Sequence, residues 1–223
     1  MNPAAIILIL LGFVVCGSAL VCTVRLYLFS CELTNPRPLR ASVFLLGGTA
    51  LITGLQFVFP EILSSLRRNA EGLRAGEWWR IVTPLFVQSG GWGHACVNGI
   101  AALIFCPLGE RLYGKGMLAL YFIPGLVGEI VGYSWVPDGA GSSLGICGVM
   151  GGLLTLAYLH RQQIPGPTGI FVMAGLCGAM ILSLLRDLHG PSILAGALLA
   201  SMMPSRPGLV PKFTAPGRQT TKV

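Results

Sequence analysis

A chain of 223 residues that is 53% hydrophobic and only 10% charged, with mean hydropathy +0.74, carries more apolar surface than a soluble domain of that size can bury. The formal net charge of +7 comes from basic residues scattered among polar connections, not gathered into the patch or stripe that nucleic acid requires. A soluble enzyme and a nucleic-acid partner are both excluded, leaving a protein whose surroundings are the lipid bilayer.

Spans need roughly 17–25 mostly apolar residues. The candidates are 4–26, 43–60, 92–109, 116–135, 143–160, 168–185 and 189–203, the last being short. Backbone groups in lipid must be satisfied within the segment, so the expected fold is all-α, a polytopic membrane helical bundle. No basic residue precedes 4–26, which reads as a retained span rather than a cleaved signal. Asn35-Pro36-Arg37-Pro38 is a linker of turn formers.

The second span ends at Pro60, and 61–75 suits a surface helix. Gly76-Glu77-Trp78-Trp79-Arg80 leads into 81–93, which is too polar and interrupted to span; tryptophans beside an arginine are typical of an interface. His94 and Asn98, spaced i, i+4, share one face where the third span opens. Polar side chains there face a cavity or another helix, as a site or as a plain interhelical hydrogen-bond pair. Glu110-Arg111 at the far end reads as an exposed or half-buried ion pair, and Glu129 is a carboxyl within the fourth span.

Gly141-Ser142-Ser143-Leu144-Gly145 turns a loop of turn formers into an apolar helix. A hydroxyl there sits beside backbone N–H groups with no intrahelical partner, at the positive end of the helix dipole. That suits a nucleophile whose attack creates an oxyanion, and it equally suits a simple cap. Gly145, Gly148 and Gly152 thin one side of this helix, and Ser192, Gly196 and Ala200 do the same for the last. Docking the two small-residue faces would bring His189, which opens the last helix, toward Ser143. His160 falls at the opposite end. Asp187, two positions before His189 in a helix, is expected to point elsewhere, leaving a dyad without a carboxylate.

Arg25, Arg37, Arg40, Arg111, Lys115, Arg161, Arg206, Lys212, Arg218 and Lys222 fall on one side, and Arg67, Arg68, Arg74, Arg80 and Arg186 on the other. The excess predicts an outside N-terminus and an inside C-terminus. The seven cysteines form no CxxC pair, so neither a disulfide framework nor a metal site is indicated, and no cofactor is expected.

Taken together, Trp79-Arg80, His94-x-x-x-Asn98, Glu110-Arg111, Gly141-x-Ser143 and His189, in that order, resemble the rhomboid family of intramembrane serine proteases. The resemblance implies a six-helix core at 43–203 around a water-filled cavity. Residues 1–42 then hold one extra transmembrane helix and a linker, and 204–223 form a basic, disordered cytoplasmic tail. It implies Ser143 as nucleophile, His189 as base, and His94 and Asn98 with Ser143 as oxyanion stabilisers. It further implies a multi-pass protein of the bacterial plasma membrane that cleaves transmembrane segments of single-span substrates; the oligomeric state stays open. Leu144 where the family commonly has Gly, and Gln88 where many members have His, are departures. A catalytically inactive relative that binds membrane clients, or a small transporter using Glu129, are the alternatives. The transporter lacks the internal repeat expected of it.

Overall fold

The computed structural model of the protein describes residues 3–28, 38–164 and 166–203. The elements are α1 (Pro3–Leu28), α2 (Arg40–Val58), α3 (Pro60–Leu66), α4 (Ala70–Arg74), α5 (Gly91–Tyr113), α6 (Gly116–Trp135), α7 (Ser143–Leu159), α8 (Thr168–Leu184) and α9 (His189–Met202). Two single 3-10 turns, Trp78–Ile81 and Thr83–Phe86, precede α5. Among the described residues there is no strand, only an antiparallel bridge between Arg68 and Gly139. The architecture is a polytopic helical membrane bundle. The linker around Asn35 and the basic tail lie outside the described residues.

α1, α2, α5 and α6 are long and apolar enough to cross a membrane. α7 and α8 run for 17 residues and α9 for 14. At 1.5 Å per residue α9 is about 21 Å long, short of a hydrocarbon layer of about 30 Å. α7 is buried along nearly its whole length, packed by α5, α6, α8, α9 and α1. A helix sheathed in protein has no lipid thickness to match. The outward faces are apolar instead, with Phe44, Ile100, Leu103, Ile130, Ile170 and Leu184 exposed.

The glycines of α7 serve two partners, and this corrects the docking expected from their spacing. Gly145, Gly148 and Gly152 face α6: an added Cβ at Gly145 would stand 2.5 Å from the Tyr121 ring, and at Gly152 2.7 Å from Leu120 Cδ1. α9 lies against the neighbouring strip. A Cβ at Gly151 would collide with the carbonyl oxygen of Ile193, and one at Gly196 with that of Gly148. The small residues of α9 therefore do mate with α7, but backbone to backbone through Gly148 and Gly151. Ser192, one turn earlier, turns its hydroxyl to Gly128 of α6.

Charged side chains terminate helices here more than they pair with each other. Glu110, expected beside Arg111, is buried and accepts the N–H groups of Ala41 (2.9 Å) and Ser42 (2.6 Å). These are orphan donors of the first turn of α2, so a carboxylate from α5 caps another helix. Arg111 instead lies over the Tyr27 ring, 5.8 Å from its centroid. Arg80, expected at the interface, is also buried. Its Nη1 donates to the carbonyls of Ser64 (2.8 Å) and Arg67 (2.9 Å) at the end of α3, and its Nε pairs with Glu77. Trp78 keeps a largely exposed ring, while Trp79 is partly covered and donates to Ser65 O. The surface helix expected over 61–75 is broken in two at Arg67–Asn69.

Ser143, His189, His94 and the Leu8 turn of α1 share one end of the bundle, and Arg25, Arg40, Arg111, Lys115 and Arg161 lie at the other. Arg67, Arg68, Arg74, Arg80 and Arg186 are at the Ser143 end, two of them buried. Among the described residues the two ends therefore carry equal numbers of Lys and Arg. The excess behind the orientation rests on Arg37 and the four basic residues of 204–223, which lie outside them.

The backbone contact between α7 and α9 leaves no room for a methyl group. Gly151→Ala should cost about 1–3 kcal/mol by overpacking, seen as a lowered unfolding midpoint in detergent. Gly48→Ala, in α2 with nothing within 4 Å of the new Cβ, should leave the midpoint unchanged or raise it, since alanine is the better helix former.

Candidate active site

The loop before α7 is pinned by main-chain pairing, which sets where the helix begins. Arg68 and Gly139 exchange N–H···O bonds of 2.8 and 3.2 Å, Ser89 N–H donates to Ala140 O at 3.1 Å, and Gly141 N–H to Pro84 O at 3.0 Å. Behind the bridge, the Arg68 guanidinium pairs with Glu129 of α6 and donates to Val136 O at 2.9 Å. Both charged groups are buried. Glu129 thus anchors the loop that delivers Ser143, and a chain read without its contacts offered no sign of Arg68 as the partner.

Ser143 is the first residue of α7, so its own N–H and the next ones have no intrahelical acceptor. Its Oγ lies 3.0 Å from Nε2 of His189, the first residue of α9. The other ring nitrogen, Nδ1, is 2.6 Å from Asp187 Oδ1. An ionised carboxylate only accepts, so Nδ1 carries the proton in the neutral ring and Nε2 is left to accept from the serine hydroxyl.

Asp187 is the correction to the expected pair without a carboxylate. Helical register would turn Asp187 away from the ring, but Asp187 is outside α9. α8 ends in a tight cap in which Arg186 N–H donates to Ser183 O (3.1 Å) and Asp187 N–H to Leu182 O (2.9 Å), with Arg186 at φ 58°. This is the left-handed stop that glycine usually supplies. The chain then reverses, and Asp187 Oδ1 accepts the His189 N–H at 2.9 Å in an Asx turn. Burial pushes the Asp187 carboxyl up, but the hydrogen bonds and charge of His189 outweigh it and hold the carboxyl below its usual range.

His94 and Asn98 both reach the serine's surroundings. His94 lines a cavity of about 380 Å³ with Ser143 and His189. Its Nδ1 accepts the Gly90 N–H at 3.2 Å, so in the neutral ring Nε2 carries the proton. That edge faces the serine: a Cβ at Gly141 would stand 2.8 Å from His94 Cε1, 3.2 Å from Nε2 and 3.3 Å from Ser143 Oγ. Asn98 is buried and lines the adjoining cavity of about 320 Å³, again with Ser143 and His189. Its Nδ2 donates to Gln88 Oε1 at 2.7 Å. Gln88 also donates from Nε2 to Ser142 Oγ (3.0 Å), and its backbone is clamped on both sides by Gln56 at 2.9 Å.

Gln88 was legible only as a departure from a family pattern. Its role in aiming Asn98 comes from three separate segments meeting, as does the part played by Gln56. Leu144 is buried with its Cδ1 against Gly128 and contributes to the larger cavity. His160 lies at the opposite end of α7, bonded to Gln163. Among the described residues no group of three or more His, Cys, Asp or Glu is arranged to hold a metal.

The gap between the His94 edge and Ser143 Oγ is narrower than a methyl group at Gly141, where a Cβ would stand 2.8 Å from His94 Cε1. Gly141→Ala should fold but slow phosphonylation of Ser143 by a fluorophosphonate, in which fluoride leaves, roughly 10²-fold, measured as the rate of covalent labelling of the purified protein.

A family model for the Rhomboid domain matches residues 75–203. Over 90 residues the chain is 36% identical to the rhomboid protease GluP of Bacillus subtilis (strain 168), covering 40% of this chain and 18% of that protein. YdcA of the same organism is 29% identical over 120 residues, 52% of this chain and 60% of that protein. RHOMBOID-like protein 9, chloroplastic, of Arabidopsis thaliana is 38% identical over 65 residues, 29% of this chain and 15% of that protein. The chain spans less than two thirds of the length of each of these relatives. With its apolar helices it is an integral, multi-pass membrane protein, and the Bacillus relatives agree with a plasma-membrane setting. Because the matched domain covers more than half the chain and takes in both ends of the Ser143–His189 contact, this protein belongs to the rhomboid family.

Proposed function

We propose that this chain is an intramembrane serine endopeptidase that cuts transmembrane segments of single-span membrane proteins, with residues 43–203 as its protease core. The observation that carries the reading is the 3.0 Å contact between His189 Nε2 and Ser143 Oγ in the lining of a cavity of about 380 Å³. A serine hydroxyl is a weak nucleophile until a base takes its proton. Here Oγ attacks the peptide carbonyl while His189 accepts the proton. The same proton then goes to the leaving amine as the C–N bond breaks, and a water molecule repeats the cycle on the acyl-enzyme.

The negative oxygen of the tetrahedral intermediate needs donors in place before it forms. The Ser143 N–H, the His94 Nε2–H and the second Asn98 amide hydrogen, the first being held by Gln88, are the donors this reading assigns. Gln88 keeps the Asn98 oxygen turned away, so the amide cannot flip and offer an acceptor instead. Substrates are inferred to be single-span segments, since a helix must partly unwind to present its peptide bond inside a bundle. An outside N-terminus with Ser143 near the outer face belongs to the same proposal.

Ser143→Ala should abolish both cleavage of a transmembrane substrate in liposomes and fluorophosphonate labelling, and His189→Ala should abolish cleavage and greatly slow labelling. Ser142→Ala should keep both, losing about 1 kcal/mol of stability with the hydrogen bond from Gln88. A folded Ser143→Ala variant that still cuts would sink the reading.

Asn98→Ala should lower kcat by about 10²–10³ with a much smaller change in unfolding midpoint. Activity falling only in proportion to folded protein would make Asn98 a packing residue.

A further inference from the structure

We propose that Asp187 is a positioning residue of the reaction inferred above, turning the Ser143–His189 pair into a serine–histidine–carboxylate line. The inference rests on that reading of the site. Its geometry is complete on one side of the bundle: Ser143 Oγ to His189 Nε2 is 3.0 Å, and His189 Nδ1 to Asp187 Oδ1 is 2.6 Å. The same carboxylate oxygen receives the His189 backbone N–H at 2.9 Å, so it is fixed relative to the ring by two bonds. Asp187 is also half-buried between the ends of α8 and α9, in a turn held by its own N–H to Leu182 O.

Among the described residues no lysine or arginine competes for this carboxylate. Arg186 beside it is exposed, and Arg68, which borders the same cavity, is paired with Glu129. The cavities that His189 lines are bordered from other segments by Ser143 and Cys147 of α7, His94 and Asn98 of α5, Cys16 of α1, and two further carboxylates, Glu129 paired with Arg68 and Asp138 accepting from Asn69. Among the described residues Asp187 is the carboxylate in hydrogen-bond contact with the ring.

Two consequences follow for the reaction. The hydrogen on Nδ1 is held toward Asp187, so the neutral ring presents its lone pair to Ser143. When the serine proton arrives at Nε2 and the imidazolium forms, the carboxylate stabilises the new charge without taking a proton itself. The proton leaves from Nε2 to the departing amine, and Asp187 ends the cycle as it began it, ionised.

A competing account makes Asp187 a mere cap of α9, accepting the His189 N–H. Asparagine caps a helix about as well as aspartate, which separates the two. Asp187→Asn should keep the unfolding midpoint and KM near the parent values and lower kcat roughly 10- to 10³-fold. This is less than the ~10⁴ of a fully enclosed triad, because the His189 ring is partly open to water. Asp187→Glu should recover part of the loss. In the parent protein, ¹⁵N-histidine NMR should find His189 as the Nδ1–H tautomer, and Asp187→Ala should move it toward Nε2–H. An Asp187→Asn variant with kcat within about twofold of the parent, beside an inactive Ser143→Ala control, overturns the role of Asp187 and leaves the protease reading standing. Activity surviving in Ser143→Ala removes the reading itself. Because the tautomer measurement on the parent needs no variant, an Nε2–H ring there overturns the proposal even if every Asp187 variant misfolds.

Discussion

The contact on which the site depends is the meeting of two backbones. α7 and α9 approach until Gly196 rests on the carbonyl of Gly148 and Gly151 on that of Ile193. In lipid no hydrophobic force draws two apolar helices together, so van der Waals packing of this closeness is what holds them. Each helix opens with a reactive side chain, Ser143 on one and His189 on the other. With the helix axes fixed by glycine and the start of each helix fixed by its loop, the hydroxyl and the imidazole have nowhere to go but into contact.

Fixing the starts is work for buried polar groups. The loop ahead of α7 is tied by the Arg68–Gly139 bridge and by Arg68 to Glu129 across the interior. Such a pair is costly to bury, and removing either partner would strand the other charge. The start of α9 is set differently, by a left-handed residue at Arg186 and an Asx turn at Asp187. A β-carbon at positive φ is unfavourable, and here the cost accompanies a reversal that hands the carboxylate to the histidine.

The same device recurs across the bundle. Glu110 caps the first turn of α2, Arg80 the last turn of α3, and Asp187 the first residue of α9. In a chain with so few charges, these three complete the hydrogen bonding of helix ends that lipid could not satisfy. Gln56, Gln88 and Asn98 extend this logic into the site, where satisfying a buried amide also aims it.

Membrane class, the positions of the long helices and the residues worth suspecting were legible from the chain alone. Hydropathy and helix-opening positions are local properties, carried by consecutive residues. Ser143, His189, His94 and Asn98 stand out because a polar group at the mouth of an apolar helix is expensive unless used. His189 was legible as the partner of Ser143, but the pairs that support the site were not. Arg68 with Glu129, Glu110 with α2, and Gln56 with Gln88 are separated by tens of residues, and no spacing rule links them. The glycine strip was visible as a thin face, but which neighbour took which edge depended on three helices packing at once. Asp187 marks the boundary most clearly: two positions from His189, it points away from the ring under a helical register. Only the tertiary structure, by ending α8 at Arg186 and reversing the chain, placed its carboxylate against the ring.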